Sequence, residues 1–145
     1  MIRALDRLAT KSVTFTGAAN FGATGTAAAL FTVTGEVLVA ALVPFCTTLL
    51  TLSGTPTDGS LALGVTNSAA LFIAATDALA IDANEFWVDT APDPYGIALP
   101  AALKDIAITD NIIATSAGTD NCNAGVIRFD LWWRPLSSNG LVVPA

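Results

Sequence analysis

Twelve Asp and Glu side chains and not one histidine bound the chemistry open to this sequence of 145 residues. Histidine is the commonest general base and the commonest metal ligand, so Cys-His pairs, Ser-His-Asp triads and His-bearing zinc sites cannot be built. The one dense group of carboxylates is Asp82, Glu85, Asp89 and Asp93. Two carboxylates flanking a glycosidic bond can hydrolyse it, but this group runs into the Pro-rich stretch Thr90 to Gly96 (TAPDPYG) and lacks the aromatic groove of a sugar site. It also lacks the spaced Asp and Asn with a following Gly that mark a calcium loop, and it reads as a solvated acidic face. The glycines of Phe21 to Thr26 (FGATGT) fail as a phosphate loop. No Lys-Ser or Lys-Thr follows them, and a strand comes next where a dinucleotide site requires a helix, so they read as a flexible connection. No catalytic residue, metal site or cofactor is expected, and the chain is not expected to be an enzyme.

Composition points toward surfaces instead. The sequence is 53% hydrophobic and only 12% charged, against about 25% charged in ordinary domains. So little charge suits a subunit whose outside is partly covered by other subunits, because interface cores are depleted in charge as folded cores are. The net charge is −6, and all six basic residues lie toward the ends: Arg3, Arg7, Lys11, then Lys104, Arg128 and Arg134. A body with no Lys or Arg from Ser12 to Leu103 has the wrong sign for nucleic acid. The two cysteines, Cys46 and Cys122, form no framework and pair only if the fold brings them together. The first residues hold no apolar run of signal-peptide length, so cytosolic synthesis is expected. Val37 to Leu52 is apolar for sixteen residues. That is short of the roughly 20 that a helical membrane span needs, and Pro44 with several β-branched residues favours a strand.

From Ser12 onward, short β-type runs alternate with turn clusters, the pattern of an antiparallel all-β sandwich or barrel in one domain, 12–145. The strands expected are Ser12 to Thr16, Ala28 to Thr34, Val37 to Cys46, Thr48 to Leu52, Ser60 to Val65, Ala69 to Ala74, Phe86 to Asp89, Asp105 to Thr109, Asn111 to Ser116 and Ala124 to Trp133. Thr76 to Ala83 reads as one helical turn capped by Thr76. Residues 1–11 read as an N-terminal arm, equally accounted for by a frayed terminus or by a docking segment: Arg3, Arg7 and Lys11 recur every fourth residue, which on a helical turn makes a basic face able to dock on an acidic neighbour. In the last strong strand, Ile127, Phe129, Leu131 and Trp133 point one way, into the core, while Arg128, Asp130, Trp132 and Arg134 point the other. A Trp beside Arg on an outer face is the chemistry of an interface anchor. The same indole is equally accounted for by a loop lying over it. Trp87, in Glu85 to Asp89 (EFWVD), reads as core.

The stretch Thr76 to Val88 with Glu85-Phe86-Trp87-Val88-Asp89-Thr90-Ala91-Pro92, the ending Ala124 to Ser137 (AGVIRFDLWWRPLS) and the early Phe31 to Val37 (FTVTGEV) resemble a family of small tailed-bacteriophage virion proteins. The resemblance covers most of Ala28 to Val142 and leaves out the basic residues of the arm. It implies a capsid decoration or cement protein with a jelly-roll-like β-sandwich, often a homotrimer, located on the virion and bound to the major capsid protein. Contacts would fall on Arg3, Arg7 and Lys11 of the arm and on Trp132 and Arg134 of the last strand. Neither nucleic acid nor membrane is an expected partner. A tail or baseplate protein would use the same strand pattern, and a carbohydrate-binding β-sandwich would draw on Tyr95 and Phe21 as its loop aromatics.

Overall fold

The alternation of apolar and polar residues resolves, in a computed structural model that describes residues 2–55 and 57–145, into eleven strands. They are β1 (Arg7–Thr14), β2 (Ala27–Thr34), β3 (Val37–Leu52), β4 (Gly59–Val65), β5 (Ser68–Asp77), β6 (Glu85–Phe86), β7 (Asp93–Pro94), β8 (Ile106–Ile108), β9 (Ile112–Gly118), β10 (Cys122–Pro135) and β11 (Leu141–Pro144). Two 3-10 turns, Ala78–Ala80 and Ala101–Leu103, are the only helical elements among the described residues. One sheet runs β1-β10-β3-β6-β7 with β8 also paired to β3, and the other runs β11-β2-β9-β4-β5. Every strand pairing is antiparallel.

Eight of these strands carry the topology. β1-β10-β3-β8 in one sheet face β2-β9-β4-β5 in the other, and the chain crosses between sheets at most steps. That order is a jelly roll, the double Greek key in which two antiparallel sheets close over one core. The fold is thus the antiparallel sandwich expected, with β6, β7 and β11 added at its margins.

Strand β10 is the spine of the six-stranded sheet, and its inward side chains decide the register. Ile127, Phe129 and Leu131 are fully buried and Trp133 nearly so, while Arg128, Asp130, Trp132 and Arg134 are half-buried on the outer face. A slip of one residue would exchange these two sets, at roughly 1.5–3 kcal/mol for each large apolar side chain brought into water. From the opposite sheet come Leu30, Leu61, Leu63, Ile73 and Ile112, and between the sheets lie Trp87, Ile81 and Leu103 from the connections.

β3 corrects the sequence reading, which divides it in two around Thr47. It is one strand of 16 residues. Pro44, opposite Phe129 of β10, is tolerated at its centre for a geometric reason. A residue's N–H and C=O point to the same side of an antiparallel strand, and the Pro44 carbonyl accepts from the Trp87 N–H at 3.1 Å, on the side away from β10. The missing N–H therefore falls between β6, which pairs at Phe45 and Cys46, and β8, which pairs at Val37 to Val39, and costs no bond to β10. The apolar run is thus a paired strand, and no helix among the described residues is long and apolar enough to cross a membrane.

Other boundaries move. The arm expected over 1–11 becomes β-strand from Arg7, paired with β10 from Arg7↔Trp133 to Thr14↔Val126, so Arg7 and Lys11 belong to the sheet rather than to a helical turn. The turn expected over Thr76 to Ala83 shrinks to Ala78–Ala80 with Asp77 as cap, its carboxylate accepting the Leu79 N–H at 2.9 Å. Phe86 to Asp89 is a strand only at Glu85–Phe86, and β7 and β11 were not foreseen. The glycine-rich connection before β2 is tied down: Cys122 N–H donates to the Gly22 carbonyl at 2.8 Å and Thr24 N–H to Asn121 Oδ1 at 3.0 Å. Gly22 sits at φ +105°, and a Cβ there would lie 2.0 Å from the Cys122 carbonyl oxygen, so only glycine fits this close approach. Met1 of the expected arm and Pro56 of the expected turn Ser53 to Gly59 lie outside the described residues.

Candidate interaction surfaces

The two sheets present outer faces of opposite character. On the six-stranded sheet, pairing lines up Leu8, Trp132 and Ala41 in one row, Thr10, Asp130 and Val43 in the next, and Ser12, Arg128 and Phe45 in the third. The Arg128 guanidinium lies 5.4 Å from the centre of the Phe45 ring and 2.9 Å from Asp130, and Phe45 meets Phe86 edge-on at 4.9 Å. The face is apolar and aromatic, set with a few directed charges. Trp132 is half-buried within it, between the exposed Leu8 and the buried Ala41.

The residues expected at contacts are distributed as follows. β1 and β10 are neighbours, but Arg7 and Lys11 stand in register with the inward Trp133 and Phe129, on the opposite side of the sheet from Trp132 and Arg134, so the expected contact residues do not share one surface. Their charges are largely engaged within the chain. The Arg7 guanidinium sits 5.2 Å from the centre of the Trp133 ring, the Lys11 ammonium donates to the Ala145 carbonyl, and Arg134 pairs with Asp6 at 3.0 Å. Lys11 thereby ties the β1 margin of one sheet to the chain end beyond β11 in the other. A lysine pointing inward on an edge strand also blocks further pairing there. Arg3 is exposed, and its backbone N–H donates to Asp6 at 2.6 Å.

Asp6 is the functional partner that sequence spacing did not single out. Its side chain is fully shielded from water, while that of Arg134 keeps 25% of its exposure. Asp6→Asn leaves the guanidinium without a countercharge in a half-buried site, and a loss of about 1–3 kcal/mol in unfolding free energy is expected. Urea denaturation checks it. The Arg134→Ala variant alone should cost a similar amount, and the double variant less than the sum.

The five-stranded sheet offers the contrast. Asp77 is the only charged residue in its five strands. Its outer face carries Leu141 and Val143, Thr32 and Thr34, Ala27 and Ala29, Ile113 and Thr115, and Ala62, with rows Ala29-Ile113-Gly64 and Ala27-Thr115-Ala62 set by the pairing. The Thr115 hydroxyl is buried among these neighbours without a hydrogen-bond partner. An orphaned hydroxyl costs about 1–3 kcal/mol, so Thr115→Val is expected to leave stability unchanged or raise it by up to about 1 kcal/mol in the same denaturation assay.

The acidic group does not converge. Glu85 accepts the Asp82 N–H at 3.0 Å and Asp89 the Ala91 N–H at 2.7 Å, both local turn bonds. Among the described residues no group of three or more His, Cys, Asp or Glu side chains is placed to hold a metal ion. Beside these carboxylates, Phe45, Phe86, Pro94 and the exposed Tyr95 line an open cleft of about 670 Å³ that also includes Asp82 and Glu85. Phe21 lies elsewhere, in a cleft with Lys11 and Ala145.

Fold and surfaces together define a jelly-roll β-sandwich with one aromatic, charge-studded face and one face whose strands carry a single charge, Asp77. No protein-family model, no curated protein and no solved structure matches the chain.

Proposed function

We propose that the chain is a structural subunit of a tailed-bacteriophage virion, a decoration or cement protein that binds the outer capsid surface where major capsid proteins meet and opposes their separation. The observation that carries this reading is the outer face of the six-stranded sheet, where Trp132 lies with Leu8, Val43 and the Arg128 guanidinium, and Phe45 and Phe86 border the adjoining cleft. Large aromatics with arginine and few other charges are the composition of interface centres. Jelly rolls recur in viral capsid domains, and the resemblance of the β10 segment to phage virion proteins points the same way. Modest contacts suffice, because symmetric copies on one shell act together by avidity. In this reading the protein is made in the host cytoplasm, ends on the virion surface and needs no cofactor, nucleic acid or membrane.

Densitometry of purified virions tests the placement. A head decoration protein is expected in copies on the order of hundreds per particle, set by the shell's symmetry, whereas a tail or baseplate protein is present in far fewer. Trp132→Ala is expected to weaken attachment to bare heads by about tenfold or more, with no loss of fold by circular dichroism. Undiminished attachment of that variant removes the proposed surface.

The cleft of Phe45, Phe86 and Tyr95 beside Asp82 and Glu85 favours a second reading, a carbohydrate-binding sandwich, since aromatic faces stack on sugars and carboxylates accept their hydroxyls. A glycan array in which Tyr95→Ala makes no difference eliminates it.

A further inference from the structure

We infer that the outer face of β11-β2-β9-β4-β5 is the contact between two copies of this chain, packed face to face about a two-fold axis. The inference deepens the assembly part of the function proposed above, and assigns to self-association the face opposite the one given to the coat.

Charge selects the occupant. The chain carries −6, and outside this sheet its acidic residues lie in the connecting segments and on the six-stranded sheet, so contacts between copies through the acidic connections bring like charges together. The five-stranded sheet is the exception: within its strands only Asp77, at the end of β5, is charged. Glu36, Asp58, Asp110 and Asp120 lie in the turns that border these strands, where a contact would leave them at a hydrated rim. An uncharged centre inside a polar rim is the anatomy of a stable interface, and the surface that matches it in kind is the same face on another copy.

Size and relief agree. Five strands about 4.8 Å apart, four to ten residues long at about 3.3 Å each, span roughly 570 Å², which side-chain relief brings toward the about 800 Å² per partner of standard stable interfaces. The open part is built of small side chains, Ala27, Ala29 and Ala62, with Ile113 and Thr115 between them, while the Ser68–Ala69 backbone closes over Gly64, so a second sheet can seat closely over β2, β9 and the first half of β4. A single self-matching patch produces an isologous pair. The trimer implied by the phage resemblance needs two different patches on each subunit.

Light scattering coupled to size exclusion, on the purified full chain at tens of micromolar, is the test. The expected mass is twice 14.8 kDa. Ile113→Lys and, separately, Thr32→Lys each place a lysine from both copies in the uncharged contact, buried without a countercharge. Each is expected to weaken the pair at least about a hundredfold and return the mass to that of one chain, with an unchanged circular dichroism spectrum. Thr10→Lys on the opposite face should leave the pair intact. A wild-type chain that runs as a monomer or a trimer overturns the inference, as does a dimer that survives both substitutions. Because no virion is present, a dimer that fails to bind heads counts against the proposed function alone, and a monomer that decorates heads counts against the pairing alone.

Discussion

Trp87→Ala is expected to lower the unfolding free energy by about 3–5 kcal/mol, the usual cost of truncating a fully enclosed aromatic. That is a large share of the roughly 5–15 kcal/mol by which a domain is stable. Trp87 has no exposed surface. Its ring meets Phe129 edge-on at 6.5 Å, joining the connection after β6 to the spine strand β10. Its indole N–H donates to the Thr76 hydroxyl at 3.0 Å, and that hydroxyl donates onward to the Ala74 carbonyl at 2.9 Å. Its backbone N–H fills the place beside Pro44 where β3 has no closer neighbour. Truncation therefore opens a cavity between the sheets and orphans a buried hydroxyl acceptor. Urea denaturation followed by far-ultraviolet dichroism measures the loss, and a change below about 1 kcal/mol would show that the surrounding chain collapses onto the site. Thr76→Val separates the two contributions. It keeps the volume and strands the indole N–H, for an expected cost of about 1–3 kcal/mol.

The legible part of this fold was the part where side-chain period and burial agree. β10 could be read residue by residue because four inward apolar side chains alternate with Arg128, Asp130, Trp132 and Arg134 without a break. The class followed from such runs and the turn clusters between them. The first part of strand β1 was hidden because Arg7 and Lys11 look like solvent residues, so a strand was expected only from Ser12. Each instead covers a specific group, the Trp133 ring and the Ala145 carbonyl, which lie 126 and 134 positions away along the chain. Local pattern has no access to partners so distant. The Asp77 cap was missed for a related reason: Thr76 is an equally good cap by type, but its hydroxyl is taken by Trp87. The sheet face whose strands carry only Asp77 as a charge could not be seen at all before the topology placed β11, β2, β9, β4 and β5 side by side. The sequence shows low charge; only the strand order shows that the low charge is gathered on one side.

Both cysteines are free and buried, and their native thiols are expected to react at least about a thousandfold more slowly with a charged disulfide reagent than in denaturant, since attack requires opening of the fold. Cys46 and Cys122 stand on β3 and β10 without a bond between them, which settles the pairing that their spacing left open. Burial, opposed by a backbone hydrogen bond at Thr48 and reinforced by the nearby Glu85 and Asp82 carboxylates, leaves the Cys46 thiol pushed up to about 11. Cys122 is likewise pushed up to about 11, chiefly by burial. A folded-state value above the ordinary 9.0 means that the native state holds these protons more tightly than the unfolded chain. Their contribution is complete below pH 9 and is lost as the pH climbs toward 11. The urea midpoint of the wild type should fall across that window. The double variant Cys46→Ala, Cys122→Ala starts from a lower midpoint because of its cavities, and its decline with pH should be shallower. Equal slopes, or rapid labelling of either thiol without denaturant, would place the sulfur atoms in water and undo the burial on which the argument depends.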